Sequence, residues 1–347
     1  MKKSLFVFLF LLLTLTACND EPKDVSNHNG NQTGNGVKDD QGLEDLATLY
    51  PLTGLPSNTE STDRAVTVMI NNHPDARPQT GLTDADIVYE LLAEGEVTRF
   101  LAVYQSYKPK VVGPVRSSRD YYIELAKGYN SLYIAHGYSP EAKKLLTNGY
   151  IDNLNGMEYD GTLFKRSSAR VAPHNSYISF ANIEKGAKAN NYSLTGAPEP
   201  LLFLKATELE AMEGEEANSV SINYGKNPSF NSQFIYDEDA QKYIRFSNGE
   251  QTVDNETNAS VAVDNVFIVE TSHKVVDNKG RKEIDLTSGG QAYLLQHGKW
   301  QDVNWKNIDG RILPFKGDKQ VGFVPGKTWI NIIPSTPGLK DAVIWKE

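Results

Sequence analysis

The chain has 347 residues, of which 35 are basic and 44 acidic, with a formal net charge of −9 and a single cysteine. That balance argues against a nucleic-acid binder and against a peripheral protein held by anionic lipid, and one cysteine leaves no intramolecular disulfide, so the fold must rely on its core. A folded part of roughly 300 residues is long enough for two ordinary domains.

In chain order, Lys2-Lys3 precede an apolar run from Leu5 to Leu13, and Leu15-Thr16-Ala17-Cys18 closes it. A basic start, a short apolar stretch and small residues before a cut describe a secretory signal over residues 1–17, since the run is too short for a membrane span of ~20 residues. The layout resembles the lipobox of bacterial lipoproteins, in which the cysteine thiol takes a diacylglyceryl group, so Cys18 is the expected lipidation site. Each buried methylene of an acyl chain such as palmitate contributes ~0.8 kcal/mol, and two chains anchor stably where one is marginal. Removing the leader takes Lys2 and Lys3 and leaves 33 basic residues against 44 acidic, a net charge of −11. The expected address is the extracytoplasmic face of the cell membrane, with the lipid on Cys18 as the membrane partner. Residues 18–48 carry scarcely an apolar side chain and read as a disordered tether with a coil span of roughly 25–30 Å.

Two folded segments are expected: a mixed α/β domain over residues 49–205, with a sheet flanked by helices, and a smaller β-rich domain over 219–347. The class is α+β. Ala65 to Ile70 reads as a buried strand running into the loop Asn71-Asn72-His73-Pro74. Ile87 to Glu94 and Val97 to Ser106 flank Gly95-Glu96 and predict a hairpin with a two-residue type II′ turn. That register sets Glu94 opposite Val97 and Leu92 opposite Arg99, with Glu90, Glu94 and Arg99 on one face. A helix beginning at Asp84, with Thr83 and Asp86 as its capping box, is the competing reading; the strand formers Ile87-Val88-Tyr89 favour the hairpin.

Asp120 to Gly128 predicts a helix capped by Ser117 or Ser118 and ended by its glycine. Ser131 to Ala135 is a strand, His136-Gly137-Tyr138 a tight turn, and Ser139-Pro140-Glu141 the start of a helix through Leu146. A loop carries Arg166, Ser167, Ser168 and Arg170 into Ala172-Pro173-His174-Asn175, before a helix from about Ser179 to Ala189. Beyond Ser219 the chain becomes short alternating strands with Gly, Asn and Asp turns, ending on Trp329-Ile330-Asn331-Ile332-Ile333, which reads as a separate domain.

Loops that follow a strand or precede a helix hold His73, Arg77, Arg116, Ser117, Ser118, Arg119, His136, Ser139, Arg170, His174 and Asn175. In α/β sheets such loops converge outside the carboxyl ends of the strands, where ligands collect. Arginines beside a helix N-terminus suit a carboxylate or phosphate, because the planar guanidinium fork binds either group bidentately. These eleven residues are the expected anion-binding set. The alternative is a structural network in which Glu90, Glu94, Asp120, Glu124 and Asp160 neutralise the arginines, and Arg99 falls more naturally there. Catalytic signatures are weak: Gly137-Tyr138-Ser139-Pro140-Glu141 lacks the second glycine of a nucleophile elbow, and spacing lends no support to a zinc site from His73, His136 and His174. Glu90 and Glu94 on one strand face would lie roughly 13 Å apart, too far for a glycosidase pair. No cofactor and no metal are expected.

The segments Asn72-His73-Pro74-Asp75-Ala76-Arg77-Pro78, Gly113-Pro114-Val115-Arg116-Ser117-Ser118-Arg119, His136-Gly137-Tyr138-Ser139-Pro140-Glu141 and Arg170-Val171-Ala172-Pro173-His174-Asn175 resemble the YerB-like family of Gram-positive lipoproteins. The resemblance implies an N-terminal mixed α/β domain, a smaller C-terminal β-containing domain and a lipid anchor. It lends no catalytic assignment. Three functions are carried forward: binding of an anionic envelope component such as a peptidoglycan carboxylate or teichoic-acid phosphate, hydrolysis or transfer on such a cell-wall polymer with His136 or His174 as base, and adaptor binding of an envelope protein.

Overall fold

The computed structural model describes residues 48–346; the expected signal segment, Cys18 and the expected tether up to residue 47 lie outside the described residues. Strands dominate and helices are few, an α+β composition. Among the described residues no helix is long and apolar enough to cross a membrane.

One twelve-stranded sheet organises the molecule. Its order is Lys319–Gln320, Arg311–Lys316, Lys299–Ile308, Gly290–Gln296, Asn265–Thr271, Thr328–Pro334, Ile87–Leu92, Thr98–Tyr104, Val66–Asn71, Leu132–Ala135 and Asn153–Asn155, with Glu215–Glu216 paired beside Lys299–Ile308. The stretch after residue 219 is β-rich, as expected. Instead of standing apart, it supplies half of this sheet: Thr328–Pro334 runs parallel to both Asn265–Thr271 and Ile87–Leu92. The reason is legible in composition, because Trp329, Ile330, Ile332 and Ile333 are apolar on both pleat faces and need cover on each. A second, six-stranded sheet does belong to the C-terminal segment alone, with Ser219–Ile222, Ser232–Asp237 and Lys242–Ser247 at its centre and Val343–Lys346 at one edge.

All six residues of Val66–Asn71 are buried, and alternate side chains enter two apolar clusters: Val66, Val68 and Ile70 in one, Met69 in the other. The first cluster also takes Phe180, Ile183 and Ala187 of the helix Phe180–Ala189; the second takes Tyr121, Tyr122 and Leu125 of the helix Asp120–Lys127. Each fully buried aliphatic or aromatic side chain contributes about 1.5–3 kcal/mol.

The expected cap at Ser139 holds. Ser139 caps the helix Pro140–Thr147 by accepting from Ala142 N, with Pro140 in the first turn, and Ser179 does the same for Phe180–Ala189 through Asn182 N. The cap of Asp120–Lys127 differs: it is Arg119, with no side-chain hydrogen bond, because Ser118 turns inward to Tyr133 Oη at 2.6 Å. The hairpin also differs. Ala93 N donates to Val97 O and Val97 N to Glu94 O, so the connection has three residues, with Gly95 at φ +56. The register moves by one: Leu91 faces Arg99, and Glu90 faces Phe100. Glu90 therefore points to the opposite face from Arg99.

Candidate functional site

Strands 66–71, 87–92, 132–135, 153–155, 265–271 and 328–334 share one chain direction, so their carboxyl ends form a single edge. The predicted loops gather along it, and their residues divide into neighbouring groups.

The first group is an ion triad. Glu94 accepts from Arg99 through one carboxylate oxygen and from Arg119 at 2.5 Å through the other. Burial works to raise the Glu94 carboxyl, and Arg99, Arg119 and Arg116 outweigh it, holding the group below its ordinary value. Arg119 also donates to Ser118 O, and Arg99 to Ser117 O. The triad ties the hairpin tip to the 116–119 loop, which is the structural role expected of Arg99, though its partner is Glu94 alone. Glu94 and Arg119, together with Ser117, Ser139, Lys279 and Arg281, line a shallow cleft of about 320 Å³.

The second group joins two stacked histidines to Arg116 and Arg170, which have no carboxylate partner among the described residues. His73 and His174 stack with ring centroids 4.5 Å apart and an interplanar angle of 29°. The Nδ1 of His174 meets Asn71 Nδ2 at 2.9 Å; that of His73 accepts from Asp75 N at 3.2 Å. Arg116 is half-buried, and among the described residues its guanidinium has neither a hydrogen-bond acceptor nor a carboxylate partner. Burial lowers the His174 imidazole below its usual value, and His73, Arg116 and Arg170 push it further down, so these four groups share one electrostatic environment. Arg170 donates one Nη to Pro78 O and keeps the other buried without a partner. His73, Asp75 and His174 offer ligand atoms within 4.8 Å of one another, which makes Asp75, rather than His136, the third member of any metal-holding set.

The third group centres on His136. Its Nδ1 lies 2.7 Å from Ser176 Oγ and its Nε2 3.0 Å from Arg166, which is paired at 2.9 Å with Asp160 and donates to Asn175 Oδ1. Burial and the adjacent Arg166 guanidinium lower the His136 imidazole, and Arg116 adds to this. Ser176 is 1% exposed, so this serine–histidine contact offers no accessible nucleophile. Ser139, the serine of the imperfect elbow, is spent on its cap. Glu90, set aside above as half of a glycosidase pair, is fully buried and receives five donors.

Comparison with known proteins follows this geometry. Residues 52–193 match the family described as "Protein of unknown function (DUF3048) N-terminal domain", and residues 220–330 match the C-terminal domain of the same description. YerB of Bacillus subtilis (strain 168), whose name calls it a lipoprotein, is 48% identical over 286 residues, 82% of this chain and 86% of that protein. The chain belongs to the YerB-like family. A crystal structure of YerB from Bacillus subtilis superposes with a TM-score of 0.80 at 46% identity, covering 86% of this chain and 99% of that one.

Within this YerB-like chain the edge unites Arg116, Arg170, His73, His136 and His174, with Asn175 beside them. Ser117, Arg119 and Ser139 line the triad's cleft, Ser118 is buried in the core, and Arg77 faces a different hollow. Sequence reasoning missed Arg166, Asn71, Ser176 and Arg245. A readable signal existed for Arg245, since it occupies an inward position of an alternating strand, between buried Tyr243 and Ser247.

Gly156 lies against the His136 ring: a Cβ there would fall 2.2 Å from Nδ1. Gly156→Ala is therefore expected to displace the imidazole from Ser176 at a cost of about 1–3 kcal/mol. An unchanged His136 titration curve by NMR would contradict this.

Proposed function

We propose that this member of the YerB-like family is an extracytoplasmic lipoprotein, anchored through Cys18, whose N-terminal segment binds an anionic component of the cell envelope at the edge formed by Arg116, Arg170, His136 and His174. The observation that carries the reading is the Arg116 guanidinium. A half-buried, permanently charged group has lost part of its hydration, and an arginine that feels Glu94 without forming an ion pair with it, among the described residues, is well matched to an oxyanion from outside. Arg99 and Arg119 already share Glu94 as a direct ion-pair partner, which distinguishes them from Arg116.

The imidazoles add a pH signature. Both His136 and His174 bind their protons below the usual value, so each is neutral near pH 7 and becomes a cation only as the pH drops below its ordinary 6.5. Affinity for the anion is expected to strengthen through that descent.

Isothermal titration with muropeptides and with teichoic-acid fragments tests the proposal. Arg116→Ala is expected to weaken binding about tenfold to a hundredfold, in the range of one lost charge-assisted pair. Equal affinity in the variant and the unaltered protein removes it. Arg119→Ala serves as the contrast, since its expected effect is on stability.

A further inference from the structure

A second hollow borders the edge: its lining includes Pro78, whose carbonyl accepts from Arg170. It has a volume of about 340 Å³, within the lower range of small-molecule sites, and is walled by the 74–79 loop on one side and residues 245–253 of the second sheet on the other. Two guanidinium groups face it.

Their circumstances differ. Arg245 is 1% exposed, is paired with the Glu90 carboxylate at 2.9 Å, donates to Thr252 Oγ1 at 2.7 Å and lies over the rings of Phe100 and Trp329 at 5.0 and 4.7 Å. Its charge is answered. Arg77 is held in place by Asn72 Oδ1, Asn72 O and Ser229 O, all neutral acceptors, and makes no ion pair among the described residues. Its surroundings already strain the charged form: burial, then Arg245, pull the guanidinium down to about 10. Glu90 and Glu250, the latter an exposed residue of the hollow's lining, oppose this without forming an ion pair with Arg77. The hollow thus contains one cation more than its buried anions neutralise, and the Nε of Arg245 is buried there without an acceptor. Hydroxyl and amide groups of Ser247, Gln79 and Gln251 complete a polar wall.

We infer that this hollow is a binding site for a small ligand carrying a compact oxyanion, a carboxylate or a phosphate, which Arg77 receives with its fork and the surrounding hydroxyl and amide groups orient. The site joins the two family segments, since Arg77 comes from one and Arg245 from the other. Occupancy would fasten the 74–79 loop to the second sheet.

The test is isothermal titration of inorganic phosphate and of acetate, separately, at low ionic strength. It is run in the Arg116→Ala background, which weakens the edge group, and the added Arg77→Lys change then assigns the remaining binding to the hollow. Saturable one-to-one binding is expected for at least one anion, and which one binds distinguishes a phosphate ligand from a carboxylate ligand. Adding Arg77→Lys, which keeps the charge but not the fork, or Gln251→Glu, an exposed wall position that brings in a negative charge, is expected to weaken that binding at least tenfold. Absence of saturable binding by both anions, or equal affinity in both added variants, overturns the inference.

Discussion

Glu90→Ala is expected to destabilise the fold by about 3–5 kcal/mol, the cost of removing one partner from a fully buried ion pair. The carboxylate is 0% exposed and receives Asn72 Nδ2 and Thr98 Oγ1 on one oxygen and Ser232 Oγ, Arg245 Nη2 and Trp329 Nε1 on the other. Its removal leaves Arg245, 1% exposed, as an unanswered charge between two aromatic rings, together with several unfilled donors. Urea denaturation followed by tryptophan fluorescence measures the loss. Changing both residues to apolar ones of similar volume is expected to recover much of it, because no charge is then stranded. A loss below about 1 kcal/mol for the single change would show that water reaches Arg245 and that the pair is not the tie between segments described here.

Gly310→Ala is expected to cost about 2–4 kcal/mol. Gly310 turns the hairpin between Lys299–Ile308 and Arg311–Lys316 at φ +87, a left-handed conformation that costs a residue with a Cβ about 1–2 kcal/mol. Its added Cβ would also lie 2.8 Å from the Cα of Gly128, at the end of the helix Asp120–Lys127, and backbone cannot swing aside as a side chain can. Gly128→Ala isolates the second contribution. Its φ of −61 suits any residue, yet its Cβ would meet Gly310 C at 2.5 Å. Gly310→Ala should therefore exceed Gly128→Ala in denaturant midpoint shift, with the slope unchanged. Equal stability of Gly310→Ala and the unaltered protein would refute the close approach.

Local features were readable where one short-range force decides them. Ser139-Pro140 announced its helix because caps are nearest-neighbour chemistry, and Ala65 to Ile70 announced a buried strand, observed as Val66–Asn71, through its apolar run. The hairpin was found with its register displaced by one residue, since the sequence does not say whether Gly95 sits in a two-residue or a three-residue turn, and that single step moves Glu90 to the other face. At the site, strand–loop order pointed to Arg116, Arg170, His136 and His174 as loop residues at one end of the sheet. The pairing of Glu94 with Arg99 and Arg119, and of Glu90 with Arg245, did not, because the latter joins residues 155 positions apart. Long-range pairing leaves only a weak trace in sequence: a charged residue on an inward pleat face, as at Arg245.

The placement of Thr328–Pro334 beside Ile87–Leu92 bears on how the chain reaches its final form. The partner that closes that flank of the early hairpin is synthesised more than two hundred residues later. Until it arrives, six buried-type residues from Ile87 to Leu92 present an open row of amide and carbonyl groups on an apolar ribbon, the kind of border that recruits other chains. Severing the molecule between its two family segments would make that interim condition permanent, so the N-terminal piece is better regarded as an unfinished sheet than as a portable module.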